Sequence, residues 1–133
     1  MMKYMFDTNA FSALMKNNTT FKKHLNKHLP EEICMSSIAW AEVRYGVRKS
    51  GSAKWLQISE ILIKDIKIVP FNKQTAETYA VLRADLEKQG KNLSPLDMEI
   101  AACAVANDCI LVTNDQAFHH LELKELPVED WTV

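Results

Sequence analysis

Residues 109–115 read Cys109-Ile110-Leu111-Val112-Thr113-Asn114-Asp115, and this stretch decides the fold class. A strand with one face in water alternates apolar and polar residues; an unbroken apolar run ending in polar residues marks a strand covered on both faces. Such strands belong to parallel sheets with helices on either side. The chain opens in the same form, with Lys3 to Phe6 as a strand that stops at Asp7. Ile33-Cys34-Met35-Ser36 and Ile66 to Phe71 read as two further strands, and Leu126 to Val128 as a last edge strand.

Helical segments fill the intervals. Ala10–Lys16 and Thr20–His28 are two short helices parted by Asn17-Asn18. A third runs from about Ile38 to Lys49 with Ser36 or Ser37 as its N-cap, and a fourth spans Ala53–Lys64. Lys73–Gln89 is the longest, with Gly90 at its left-handed end. Ser94-Pro95-Leu96-Asp97 starts the next: a serine cap, proline at the first helical position and an acid at the third. The alternation predicts an α/β fold with a mostly parallel sheet, in a single domain covering residues 1–133.

Composition narrows the function. Hydrophobic residues are 47% and charged residues 25%, a globular balance. The longest apolar run, Ile100–Ala106, is far too short for a membrane span, and the opening apolar stretch is cut by Asp7, unlike a signal peptide. Cys34, Cys103 and Cys109 form no CxxC pair and lie in apolar surroundings, which argues against zinc or disulfides and for the cytoplasm. The net charge of −1 divides unevenly: residues 1–65 hold 10 Lys/Arg and 6 Asp/Glu, residues 66–133 hold 6 and 11. A basic half suits a polyanion and an acidic half suits cations.

Open parallel sheets place their sites beyond the carboxyl ends of the strands. Asp7 and Asp115 stand there, each directly after a strand. Glu42 and Asp97 sit early on helices that follow a strand or precede one. If these segments meet at one sheet edge, four carboxylates converge, and their repulsion and desolvation call for a counter-charge. A divalent metal is the simplest, Mg²⁺ with Mn²⁺ as substitute, because every donor is a hard oxygen. Each acid also has a plainer reading: Asp7 as a helix cap, Asp115 as a turn residue, Asp97 as part of a capping pattern, Glu42 as an ordinary helix position. Thr8, Asn9, Thr113 and Asn114 are placed to orient carboxylates or bound waters. Lys16, Arg44, Arg48 and Lys49 offer phosphate contacts; Trp40 is read as core, and Trp55 and Tyr79 as apolar positions open to a partner. His24, His28, His119 and His120 lack metal spacing and read as surface residues.

Four blocks resemble PIN-domain nucleases, in family order over nearly the whole chain: Met5-Phe6-Asp7-Thr8-Asn9, Ser36 to Gly46, Leu93 to Ala102 and Leu111-Val112-Thr113-Asn114-Asp115. The resemblance is strongest to the VapC branch, the ribonuclease toxins of bacterial toxin–antitoxin pairs. Val128-Glu129-Asp130-Trp131 is similar to the members that cut initiator tRNA in its anticodon stem-loop. The resemblance implies a sheet in the order 3-2-1-4-5 with helices on both faces, and metal binding by Asp7, Glu42, Asp97 and Asp115. It also implies Mg²⁺-dependent RNA hydrolysis that inhibits translation, a homodimer, and a small VapB-like antitoxin over the active-site groove. Some relatives carry their last acid a few residues later; Gln116-Ala117-Phe118 has none, so Asp115 is the fourth carboxylate here. Two other readings stand beside this one. A haloacid-dehalogenase-like phosphatase would use Asp7 as nucleophile but wants an acid where this chain has Asn9. A non-catalytic module would use the acids to dock a basic partner.

Overall fold

A computed structural model describes residues 1–133. Five strands form one parallel sheet: β1 (Tyr4–Phe6), β2 (Ile33–Ser36), β3 (Lys67–Val69), β4 (Ile110–Val112) and β5 (Val128–Glu129). Their order is β3-β2-β1-β4-β5, and every pairing is parallel. Seven helices connect them: α1 (Thr8–Met15), α2 (Thr19–Leu25), α3 (Ser37–Ser50), α4 (Ala53–Ile63), α5 (Lys73–Lys88), α6 (Pro95–Ala106) and α7 (Gln116–His119). The strand order and its central β1 are as the sequence and its resemblance imply.

Alternation along the central strands sorts the core. Met5, Cys34 and Leu111 lie in register and face one apolar cluster, to which α3, α5 and α6 contribute Val43, Leu86 and Ile100. Tyr4, Phe6, Ile33 and Val112 face a second cluster, with Ala10 and Leu14 of α1 and Phe21 of α2. Helix α6 is apolar almost all round because it is buried on nearly every side from Ile100 to Ala104.

The second cluster corrects one expectation. His24 and His28 are not solvated ornaments of a lysine-rich helix. Both rings stack on the fully buried Trp131, at centroid distances of 5.9 and 5.2 Å, and Tyr4 and Phe6 close round the same indole. The C-terminal segment is thereby fastened across β1 and α2. Trp55 and Tyr79 are also half-buried against the large cluster instead of standing free.

Local chemistry explains where elements begin and end. α1 starts at Thr8, two residues before the apolar pattern suggests, because Asp7 itself caps it. Ser36, not Ser37, caps α3 by accepting from the Ala39 N–H. The last strand begins at Val128 rather than Leu126: Leu126 turns into the core, and the Pro127 carbonyl accepts from the Leu111 N–H. α3 stops at Gly51, whose φ is +68° with open space where a Cβ would lie. Gly51→Ala is therefore expected to cost about 1 kcal/mol through backbone strain alone, read as a small drop in urea midpoint with the m-value unchanged. No helix is long and apolar enough to cross a membrane.

Candidate active site

The sheet's switch point lies between β1 and β4. From β1 the chain proceeds outward to β2 and β3, then returns to the other flank for β4 and β5. Phe6 pairs with Val112, so the residues that follow, Asp7 and Thr113, emerge side by side at the carboxyl edge. The Asp7 N–H donates to the Val112 carbonyl at 3.2 Å, which extends the ladder by one rung and fixes where the carboxylate leaves the sheet.

Asp7 caps a helix and is also buried at the strand end. Its Oδ1 accepts from the Ala10 N–H at 2.8 Å, capping α1. Yet it is only 3% exposed, an unusual setting for a carboxylate that merely caps. Burial first, with the charges of Asp115 and Asp97 adding in the same direction, pushes its carboxyl up to about 6. The Thr113 hydroxyl and the Ala10 N–H pull the other way without offsetting them. Asp97, in the first turn of α6, is raised too, by burial first and then by Asp115. Its backbone N–H donates to Ser94 Oγ at 3.3 Å, and a bond between Ser94 and the carboxylate itself opposes the rise. Asp115 caps α7 through the Ala117 N–H at 2.9 Å, while its own N–H donates to Thr113 Oγ1. It is thus a turn residue and a member of the acidic group at once.

Glu42 approaches from α3. Its Oε1 accepts from the Thr8 hydroxyl at 3.2 Å, which ties α3 to the first turn of α1. Asn9 Nδ2 donates to Asn114 Oδ1 at 3.0 Å and laces the ends of β1 and β4 together. A phosphatase's second acid would stand at Asn9; here an amide holds that place and is occupied by structure.

The structure therefore brings Asp7, Asp97 and Asp115 within each other's electrostatic reach, while Glu42 is tied to Thr8, the residue after Asp7. As they stand, no three acidic, histidine or cysteine side chains close to metal-ligand distance. Magnesium held by one or two carboxylates and several waters needs no such cage. The donors are hard oxygens, and a cation would relieve the charge that burial and repulsion impose on Asp7, so the residues fit a divalent ion.

Among the basic residues, Arg44 is engaged. Its guanidinium bonds Ser59 at 3.0 Å and Glu60 at 3.2 Å and lies over the Trp40 ring, bracing α3 on α4. Trp40 packs edge-on against Phe11, in keeping with a core role. Lys16, Arg48 and Lys49 are exposed. Sequence reasoning missed an apolar groove of about 220 Å³ beside the acids, bordered by Thr8, Lys16, Glu42, Val47 and Trp55. It also missed His119, whose Nε2 lies 2.8 Å from the Thr113 carbonyl and so supports the strand end that carries Asp115. Neither carries a local signal: the groove joins segments far apart in the chain, and the histidine contact depends on how the turn after β4 folds.

Comparison with known proteins agrees with this fold. Residues 4–124 match the family model described as PIN domain. The chain is 29% identical to the tRNA(fMet)-specific endonuclease VapC of Salmonella typhimurium over 135 residues, covering 98% of this chain and 99% of that protein. It is 32% identical to the ribonuclease VapC2 of Rickettsia felis over 136 residues, covering 98% of each. Among solved structures it is similar to a chain of the DNA-bound VapBC complex from Salmonella typhimurium, with a TM-score of 0.87 at 29% identity, covering 98% of this chain and 99% of that one.

Proposed function

The chain belongs to the PIN-domain family as a VapC-type ribonuclease toxin, and on that premise we propose how its acidic edge works. Asp7, Glu42, Asp97 and Asp115 hold a divalent ion, Mg²⁺ with Mn²⁺ as substitute. When bound, that ion supplies Lewis acidity at the scissile phosphate and lowers the pKa of the attacking water. The chain's own residues do the positioning. Asp7 is held rigid by its cap bond and by burial, Thr8 orients Glu42, and Thr113 steadies both Asp7 and Asp115. Carboxylates fixed this way hold the reacting groups in line without reorganising during the reaction.

The substrate is single-stranded or looped RNA. The name of the Salmonella typhimurium relative favours the anticodon stem-loop of initiator tRNA, so that cleavage would inhibit translation. The whole chain, 1–133, acts as one nuclease domain in the cytoplasm, as a homodimer restrained by a VapB-like antitoxin. VapBC complexes among the similar structures support that partner. Lys16, Arg48 and Lys49 contact RNA phosphates, and Arg44 acts there by bracing α3.

The observation that carries the reading is a buried aspartate at the switch point, its carboxyl raised to about 6 with two more aspartates around it. A helix cap does not require that arrangement, and a bound divalent ion would neutralise it. Asp97 gives a clean test. Asp97→Asn keeps the main-chain bond to Ser94 and removes one charge. It is expected to leave the thermal midpoint unchanged or slightly higher while lowering cleavage by about 10²-fold, roughly 2.7 kcal/mol of transition-state stabilisation. Cleavage near the wild-type rate would remove Asp97 from the site.

A further inference from the structure

A second cleft, polar and of about 380 Å³, borders α1 and shares Ser12 and Lys16 with the groove that Glu42 lines. Asn9, Ser12, Lys16, Asn18 and Asn114 line it, with Thr132 beside them. No carboxylate is among its walls, although three acidic residues stand farther along the same sheet edge.

The hydrogen-bonding inventory of this cleft is lopsided. Asn18 commits its Oδ1 to the Phe21 N–H at 2.9 Å, as the cap of α2, which leaves its amide N–H groups free. The Asn9–Asn114 pair uses one amide N–H and one carbonyl, so whichever way it is turned a further amide donor remains. Lys16 takes part in no ion pair and is exposed at the end of α1. Thr132 spends its hydroxyl and N–H on Asp130, but the remaining donors still outnumber the acceptors and one of them carries a positive charge: the complement of a phosphate.

Position supplies the rest of the argument. The cleft begins next to the acids, since Asn9 is two residues beyond Asp7 and Asn114 immediately precedes Asp115. It ends at Lys16, nine residues after Asp7, roughly 13 Å farther along at the rise of a helix. A polyanion crossing a cluster of carboxylates is repelled wherever no cation intervenes, so its flanking phosphates need a donor-rich path leading away from the acids. α1 provides one.

We propose that this cleft seats the phosphate of a nucleotide flanking the scissile bond, with Lys16 supplying the charge and the Asn18 and Asn114 amides the hydrogen bonds. The assignment rests on the ribonuclease reading and adds a positioning subsite to it.

The test is steady-state cleavage of a single-stranded oligoribonucleotide in excess Mg²⁺, over a range of KCl, by the wild-type chain, Lys16→Gln, Lys16→Arg and Asn18→Asp. Asn18→Asp keeps the oxygen that caps α2 and places a negative charge in the cleft, so the fold is preserved and seating is opposed. Lys16→Gln and Asn18→Asp are expected to raise KM about fivefold or more with kcat within about twofold, and Lys16→Arg to retain wild-type KM. The slope of log(kcat/KM) against log[KCl] should become shallower by about 0.7 in Lys16→Gln, the value of one single-strand phosphate contact. Wild-type cleavage with KM and salt slope unchanged in both variants would overturn the subsite while leaving the ribonuclease reading intact. A wild-type chain that cleaves no RNA would overturn the ribonuclease reading, and this assignment with it.

Discussion

Asp7→Asn is expected to make the metal-free protein more stable at pH 7 while removing its cleavage activity. The buried carboxyl titrates at about 6 against an ordinary value of 3.8. A raised pKa means that the folded state binds the proton more tightly than the unfolded one between those values. Stability therefore falls as pH rises through the window from about 4 to 6. Above it the folded protein carries a charge it would shed, at a cost of about 3 kcal/mol at the upper end. Asparagine removes the charge but keeps an oxygen for the Ala10 N–H, so the α1 cap survives. Thermal melts in EDTA should place the variant several degrees above wild type at pH 7, and the gain should vanish near pH 4, where both side chains are neutral in the folded protein. Cleavage should fall by about 10³-fold, roughly 4 kcal/mol at the transition state. A variant less stable than wild type at pH 7 would mean that the Asp7 charge serves the fold.

That opposition between stability and activity is partly legible in the amino-acid sequence. The apolar runs ending at Asp7 and Asp115 announce buried parallel strands, and the switch-point rule locates the site at their ends. The same residues also read as caps, and in the folded chain Asp7 and Asp115 cap α1 and α7 while their charges lie within reach of each other. Local pattern offers two readings of one residue and has no means of adding them. It fails where contacts are long-range. Nothing in the Thr20–His28 segment foretells that His24 and His28 stack on Trp131, at the far end of the chain. Arg44 looks free in sequence because Glu60, its partner, lies on the next helix. The donor-rich cleft is likewise invisible, since Asn18 and Asn114 meet only through the β1–β4 pairing.

The second large effect is the response to divalent ions. On the proposed reading Mg²⁺ would bind the folded site and not an unfolded chain, so it should stabilise wild type by about 2.7 kcal/mol at a concentration of about 100 times Kd. Asp7→Asn should lose most of that response, because the buried carboxylate whose charge the ion would neutralise is gone. The two effects act in opposition: the variant is the more stable protein in EDTA, and its advantage shrinks as Mg²⁺ is added. Acidification through pH 6 should weaken the ion's hold on wild type, since protons and metal compete for Asp7. Ca²⁺ should stabilise wild type as well yet support little cleavage, because its larger and looser coordination holds the phosphate and water less strictly in line. Melts in a matrix of pH, Mg²⁺ and Ca²⁺ separate binding from chemistry.

The most direct measurement is RNA cleavage by chelator-stripped protein in metal-free buffer, followed by addition of Mg²⁺ to the same reaction. A metallonuclease built on Asp7, Glu42, Asp97 and Asp115 predicts no cleavage before the addition, restored cleavage after it, and no restoration in the Asp7→Asn protein. Undiminished specific cleavage without metal, unaffected by substitution of any of the four acids, would contradict the account.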